Sequence, residues 1–140
     1  MKLDRVAFGL GIVAVVASAL VYFGRPTIVR PLGPVHADMV LAERDGACKV
    51  VAKTDPVVAH RGAIVVWVIT NTCDTDQTVS FRDFADGDPF GPGPREIMIP
   101  AQKTRVLSMP VRAAAAVMTY HYAPYLNGVR QSDPEIIIEY

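Results

Sequence analysis

The chain has 140 residues, fourteen of them basic and fourteen acidic, so its formal net charge at pH 7 is zero. No basic stripe is present that would neutralise phosphates, which argues against a nucleic-acid partner. The length leaves room for one globular domain beside a short terminal segment.

The N-terminal segment carries an apolar run, residues 6–23, that contains no charge and no proline. A helix of this length is about 27 Å long, close to the thickness of the bilayer hydrocarbon. We therefore expect residues 1–24 to be an uncleaved transmembrane anchor that contacts lipid through residues 6–23. The alternative is a secretory signal cleaved after Ala19, because Ala17-Ser18-Ala19 has the small residues that signal peptidase accepts.

The next segment, residues 25–38, is rich in proline, with Pro26, Pro31 and Pro34 close together. Proline lacks a backbone N–H and fixes φ, so this stretch is predicted to be an extended tether rather than a helix or a paired strand. The remaining residues, 39–140, are predicted to form the folded domain.

Short runs of β-type residues recur along the domain at roughly ten-residue spacing, with Gly, Pro, Asn and Asp between them. This pattern predicts an all-β domain, an antiparallel Greek-key sandwich of the cupredoxin-like or immunoglobulin-like kind. The predicted strands are Cys48–Lys53, Ala63–Thr70, Thr78–Arg82, Arg95–Ile99, Arg105–Met109, Val117–Tyr122 and Glu135–Tyr140.

The chain has two cysteines, Cys48 and Cys73, and each lies beside a β-type run rather than in a metal-binding cluster. If residues 48–53 pair antiparallel with residues 64–71, the two cysteines come to the same end and can form a disulfide. A disulfide requires an oxidising compartment, whereas two buried free thiols are the alternative. Together with the apolar run over residues 6–23, the disulfide predicts a bacterial inner-membrane protein that crosses the membrane once and has its C-terminal domain in the periplasm.

Three stretches of the domain resemble the cupredoxin-like sandwich. They are Trp67–Thr72 followed by Thr78–Phe81, then Ile99–Leu107, and finally Tyr120–Tyr122 with Asn127-Gly128 and the closing strand Pro134–Tyr140. Together they span most of residues 48–140, although the motifs are shared with other sandwiches, including immunoglobulin-type domains.

The resemblance implies a copper site built from two imidazoles, a thiolate and an axial thioether. In this sequence the first histidine position falls at Gln77 or Thr78, and the thiolate position falls at Tyr122. No His or Met follows Tyr122, so the resemblance supports the fold and argues against its usual metal. We therefore expect no cofactor, no metal and no catalytic residues.

The long Pro/Gly-rich loop over residues 84–94 and the tyrosine-rich region 120–128 are the predicted contact surfaces, because long loops and exposed aromatic side chains often bind partners. The predicted partner contacts are Phe84, Phe90, Tyr120, Tyr122 and Tyr125. The alternative for both phenylalanines is that their rings pack back onto the sandwich.

These features predict a non-catalytic, membrane-anchored accessory subunit that docks on a larger integral membrane complex of the respiratory or photosynthetic type. The main alternative is a periplasmic copper-handling or redox protein that uses His60, His121 and a methionine. A secreted adhesion or carbohydrate-binding sandwich is a third hypothesis, and it requires cleavage after Ala19.

Overall fold

The computed structural model describes residues 33–132 and 134–140. The predicted transmembrane anchor and the tether as far as residue 32 lie outside the described residues. Among the described residues, no helix is long and apolar enough to cross a membrane.

The described residues form an all-β structure, as the sequence predicted. In chain order the strands are β1 Val35–Arg44, β2 Ala47–Ala52, β3 Val57–His60, β4 Ile64–Asn71, β5 Gln77–Arg82, β6 Glu96–Ile99, β7 Thr104–Pro110, β8 Thr119–His121, β9 Ala123–Leu126, β10 Val129–Arg130 and β11 Glu135–Glu139.

One layer of the sandwich is a four-stranded sheet in the order β2-β1-β4-β7. Its central strand β4 is a run of β-branched residues and tryptophan, which favour pleated structure. Because successive side chains of a strand point to opposite faces, Val65, Trp67 and Ile69 are buried while Val66 and Val68 lie on the outer face.

The second layer contains a sheet in the order β10-β9-β5-β6 and a sheet in the order β3-β11-β8. Strands β8 and β9 follow each other along the extended segment 119–126, so this segment pairs first with β11 and then with β5. The segment therefore joins the two sheets of this layer.

Aromatic side chains from both layers meet in the core. The ring of Trp67, from the first layer, lies 4.8 Å from Phe81 and 5.3 Å from Tyr122, centroid to centroid, and both of those residues belong to the second layer. Such ring pairs add to the stabilisation that comes from burying their apolar area. Trp67 is thus a core residue that links the two layers.

Strand β1 corrects the sequence prediction in two ways. It begins at Val35, so residues 35–38 belong to the sheet rather than to the predicted tether. It also pairs parallel with β4, and β3 pairs parallel with β11, whereas the sequence predicted an antiparallel sandwich. Strands β1 and β3 were not predicted, because their mixed polar and apolar residues give a weak β pattern.

The disulfide between Cys48 and Cys73 is confirmed, with the two Cα atoms 6.1 Å apart. The strand pairing that was expected to create it is wrong, because β2 pairs with β1 and not with β4. Strand β1 lies between them: Cys48 is opposite Glu43 in its ladder, and the N–H of Thr72 donates to the carbonyl of Leu41. The two cysteines therefore meet across the end of β1.

Candidate functional site

Three side-chain amides form a connected network at the end of the sandwich where β5 begins, which carries the first histidine position implied by the cupredoxin resemblance. This amide network consists of Asn71, Gln77 and Asn127. The Gln77 Nε2 donates to Thr75 Oγ1 at 2.7 Å, and the Gln77 Oε1 accepts from Asn127 Nδ2 at 2.7 Å. The Asn127 Oδ1 accepts from the backbone N–H of Thr78 at 2.8 Å.

The buried member of the amide network is Asn71, whose exposed fraction is 0%. Its Nδ2 donates to the carbonyls of Thr75 at 2.9 Å and Ile99 at 3.0 Å, and its Oδ1 accepts from the N–H of Cys73 at 2.9 Å. Asn71 thereby ties the end of β4 to the turn before β5, to the end of β6 and to the disulfide.

Asn127 and Gly128, which are turn-type residues between β-type runs, form the turn that joins β9 to β10. Asn127 and Gly128 have φ values of 48° and 81°, which a tight hairpin turn between β9 and β10 requires and which Asn and Gly adopt readily. This backbone conformation directs the Asn127 amide toward the start of β5, where Gln77 and Thr78 lie.

The copper-ligand positions that the resemblance implies do not meet at this end. Gln77 begins β5, whereas Tyr122 directly precedes Ala123, which lies opposite Arg82 at the other end of β5. Both polar atoms of the Gln77 amide are engaged in hydrogen bonds, and an amide is a poor substitute for an imidazole ligand. Tyr122, at the thiolate position, is 1% exposed and packs inside the aromatic core, where its hydroxyl has no hydrogen-bond partner. Burial raises the pKa of Tyr122, and the charge of Asp55 adds to this effect.

The histidines of the predicted copper-handling alternative are placed far apart. In the strand ladders, His60 lies opposite Glu139 and His121 lies opposite Glu135, so the two histidines are at opposite ends of β11. At about 3.3 Å per residue, four residues separate the two by about 13 Å, which is too far for one metal ion to bind both. The described residues also contain no group of three or more His, Cys, Asp and Glu side chains arranged to hold a metal ion.

His121 instead links the loop after β5 to the last strand. Its Nδ1 lies 3.0 Å from Asp86 Oδ2, and its Nε2 lies 3.3 Å from Glu135 Oε1. The hydrogen bond to Asp86 raises the pKa of His121, and the same bond lowers the pKa of Asp86. All three side chains are exposed to solvent, so the link is electrostatic and sensitive to pH.

The predicted partner contacts are divided between the core and the surface. Phe90, Tyr120 and Tyr122 are 0%, 4% and 1% exposed, so these three are corrected from contact residues to core residues. The loop carrying Phe90 is drawn inward because Phe90 pairs with Val111 in an isolated bridge. The alternation of Tyr120, His121 and Tyr122 places both rings on one face of the chain, and the structure shows that this face is the core.

The other two predicted contacts are only partly buried. The ring of Phe84 packs against Phe90 and Tyr122, with centroids 5.9 and 6.1 Å apart, as the alternative interpretation of this loop expected. The hydroxyl of Tyr125 donates to Asp83, and the guanidinium of Arg82 lies 5.4 Å from the Tyr125 ring centroid. Of the five, only Phe84 and Tyr125 are partly exposed.

The apolar surface that sequence analysis missed is the outer face of the first sheet. We call it the valine face; its members are Val40, Val51, Val66, Val68 and Val106. Val68 lies opposite Val106, and Val40 lies opposite Val51, whereas between β1 and β4 Asp38 lies opposite Val68 and Thr70 lies opposite Val40. The valine face therefore consists of valine side chains from four strands with polar side chains among them. Val106 is 53% exposed. The signal was present in the sequence, since both faces of a β-branched strand are apolar.

No protein-family model matches this sequence, and a comparison with characterised proteins gives no match. Two multicopper oxidases are among the solved structures that are similar to this chain. The multicopper oxidase from Campylobacter jejuni, described as a metallo-oxidase, is 15% identical over 76% of this chain and 26% of that chain, with a TM-score of 0.47. A variant of a multicopper oxidase from the hyperthermophile Aquifex aeolicus is 10% identical over 82% of this chain and 31% of that chain, with a TM-score of 0.52.

The Aquifex comparison supports a cupredoxin-like fold for this domain, as the sequence resemblance predicted. The chain spans less than a third of that oxidase, and the similarity concerns the fold alone.

Proposed function

We propose that this chain is a membrane-anchored, non-catalytic accessory subunit that docks on a larger integral membrane complex from the extracytoplasmic side. The valine face carries this proposal. Valine side chains on the solvent side of a sheet have no role in the core of the domain, and apolar surface that is left exposed on a small domain can mark an interaction site.

The hydrogen bonding of the amide network supports the non-catalytic part of the proposal. The amide network includes Gln77, which stands at the first histidine position that the resemblance implies, and its hydrogen bonds are made to the protein rather than offered to a ligand. The disulfide between Cys48 and Cys73 supports an oxidising, extracytoplasmic location. The apolar run over residues 6–23 supplies the anchor.

Anchoring strengthens weak docking, because a domain that is held at the membrane has a high effective concentration toward neighbours in the same plane. A modest apolar surface then suffices for stable association. On this proposal the complex is of the respiratory or photosynthetic type, and the domain stabilises its extracytoplasmic side.

The test is a photo-crosslinker placed at Val106 in the full chain in its native membranes. The matched control is the same crosslinker at Val129, a valine on β10 that is 64% exposed and lies outside the valine face. We expect adducts with an integral membrane protein from position 106 and few from position 129. Equal labelling from the two positions, or no adducts from either, would contradict the proposal.

A further inference from the structure

Strand β7 forms one edge of the first sheet and, among the described strands, pairs only with β4. Its exposed residues are also unusually many for a seven-residue strand, since five of them are exposed and only Leu107 and Met109 are buried. This edge therefore presents both backbone and side chains to solvent.

The hydrogen-bond pattern shows which backbone groups face outward. At the two ends of the ladder, Asn71 donates to Lys103 and Val111 donates to Ala63, each at 2.8 Å. Because hydrogen-bonded pairs alternate in an antiparallel ladder, the odd-numbered residues of β7 bond to β4. The N–H and C=O groups of its even-numbered residues then point away from the sheet.

Part of this outward row is already satisfied. The carbonyl of Pro110 accepts from Gly91 at 2.7 Å, and Arg105 Nη1 donates to the carbonyl of Thr104 at 3.3 Å. Within the described part of the chain, no hydrogen bond reaches the outward N–H and C=O of Val106 or Ser108. These four groups form an open template for an added strand.

The side chains beside this template define the chemistry of the strand that fits. Lys103 and Arg105 are exposed cations that form no ion pair with the described residues, and Arg105 stands directly before Val106. A residue placed opposite Val106 would lie beside the valine face, whereas its neighbour would lie beside Arg105. Cross-strand pairs of opposite charge, and pairs of apolar residues, stabilise such an arrangement.

We infer that β7 receives an extended segment of a partner protein by strand addition, and that this segment alternates acidic with apolar residues. The inference rests on the proposed function, because it names the site and the chemistry of the docking partner. The added strand extends the four-stranded sheet to five strands and enlarges the valine face by one row.

A second copy of this chain fits the edge less well. Pairing two β7 strands about Val106 would place Arg105 diagonally opposite its own symmetry mate, at about 7–8 Å, where like charges repel. Shifting the register toward the C-terminal end brings Pro110, which has no N–H, into the ladder. An acidic partner strand avoids both problems.

The experiment uses the full chain in mild detergent and a labelled peptide, Glu-Val-Glu-Val-Glu-Val-Glu, with Lys-Val-Lys-Val-Lys-Val-Lys as its charge-reversed control. Ser108→Pro removes an outward N–H without removing a bond to β4, and Pro110 already occupies the same side of this strand. Ser108→Ala is the matched control, since it keeps the N–H. Thermal unfolding followed by Trp67 emission verifies that each variant is folded.

We expect the acidic peptide to bind the native chain and the Ser108→Ala variant within twofold of each other. Ser108→Pro and Arg105→Glu should each weaken binding about tenfold, as expected for loss of a hydrogen bond or of a favourable charge pair. Failure of the acidic peptide to bind, equal binding of both peptides, or equal binding by the two Ser108 variants would overturn the inference. A dimer of the chain alone that Ser108→Pro abolishes would overturn it in favour of a second copy.

A second arm separates this inference from the proposed function. The native chain and the Ser108→Pro variant are each extracted from native membranes and separated by size. If both migrate in the same large complex, docking stands and strand addition at β7 is refuted. If the native chain itself migrates alone, the proposed function fails. Loss of the variant alone from the complex supports both proposals.

Discussion

Replacing Asn71 with alanine should be among the most damaging single changes to this domain. Asn71 is fully buried and makes hydrogen bonds from both ends of its amide. The alanine variant leaves the N–H of Cys73 and the carbonyl of Ile99 without their side-chain partner in a site that is closed to water. Each orphaned buried group costs about 1–3 kcal/mol, so we expect a loss of about 4 kcal/mol in the free energy of unfolding.

The neighbouring residue supplies a matched control. Thr70 lies on the outer face of the same strand, and its hydroxyl shares one exposed hydrogen bond with Thr104. Because water replaces that bond, Thr70→Ala should cost about 0.5 kcal/mol. The two substitutions thus differ in burial while they share a strand and a type of change.

The assay is thermal unfolding of the full chain in mild detergent, followed through the emission of Trp67, the single tryptophan, which is 1% exposed. A domain of this size loses about 4 °C in Tm for each kcal/mol, so Asn71→Ala should lower Tm by roughly 15 °C and Thr70→Ala by about 2 °C. Equal shifts for the two variants would refute the argument that the amide network holds this end of the sandwich together.

Three further predictions concern buried hydroxyls, the disulfide and pH. Tyr122→Phe should leave Tm unchanged or raise it, because the Tyr122 hydroxyl is buried without a partner, whereas Tyr120→Phe should lower the stability by about 1 kcal/mol because that hydroxyl donates a hydrogen bond; the reverse order in thermal unfolding would contradict this. Reduction of the disulfide opens a 25-residue separation and should cost about 3.5 kcal/mol, measured by the Tm with and without reductant; an unchanged Tm would count against it. The raised pKa of His121 contributes stability below the ordinary histidine pKa, and this contribution is lost as pH rises through the pKa of the folded state. The lowered pKa of Asp86 contributes stability only above the ordinary carboxylate range. Tm should therefore fall from pH 6 toward pH 8, and it should fall less in His121→Gln; identical pH profiles for the two proteins would refute the link.

The sequence predicted the strands that have a strong β-type composition. The β-branched run at β4, the alternating run at β5 and the closing strand β11 were all placed within a residue or two of their observed bounds. The Asn127-Gly128 turn was equally predictable, because few residues adopt its backbone angles at low cost. Local pattern and turn chemistry were sufficient for these elements.

Non-local pairing was not predictable in the same way. The parallel pairing of β1 with β4 joins strands that are far apart in sequence, and neither strand carries a mark of its partner. The start of β1 at Val35 was missed because the prolines just before it predicted an unpaired tether, whereas the strand shows itself only in the alternate burial of its side chains. The disulfide was therefore predicted correctly from a strand pairing that does not exist.

The candidate site shows the same division. The absence of imidazole and thiolate at the expected positions could be recognised from single residues such as Gln77 and Tyr122. The direction of each aromatic side chain could not, since a tyrosine on a half-buried strand faces the core or the solvent according to its register. A one-residue change in register exchanges the two faces, which is why Tyr120 and Tyr122 were predicted as contacts but are buried.

The most direct test of the docking proposal is to extract native membranes in mild detergent, separate the extract by native size and identify by mass spectrometry what migrates with this chain. We expect this chain to migrate in a large complex with integral membrane subunits and to yield an N-terminal peptide that retains the residues before Ala19. Migration alone at the mass of a monomer would contradict the accessory-subunit proposal.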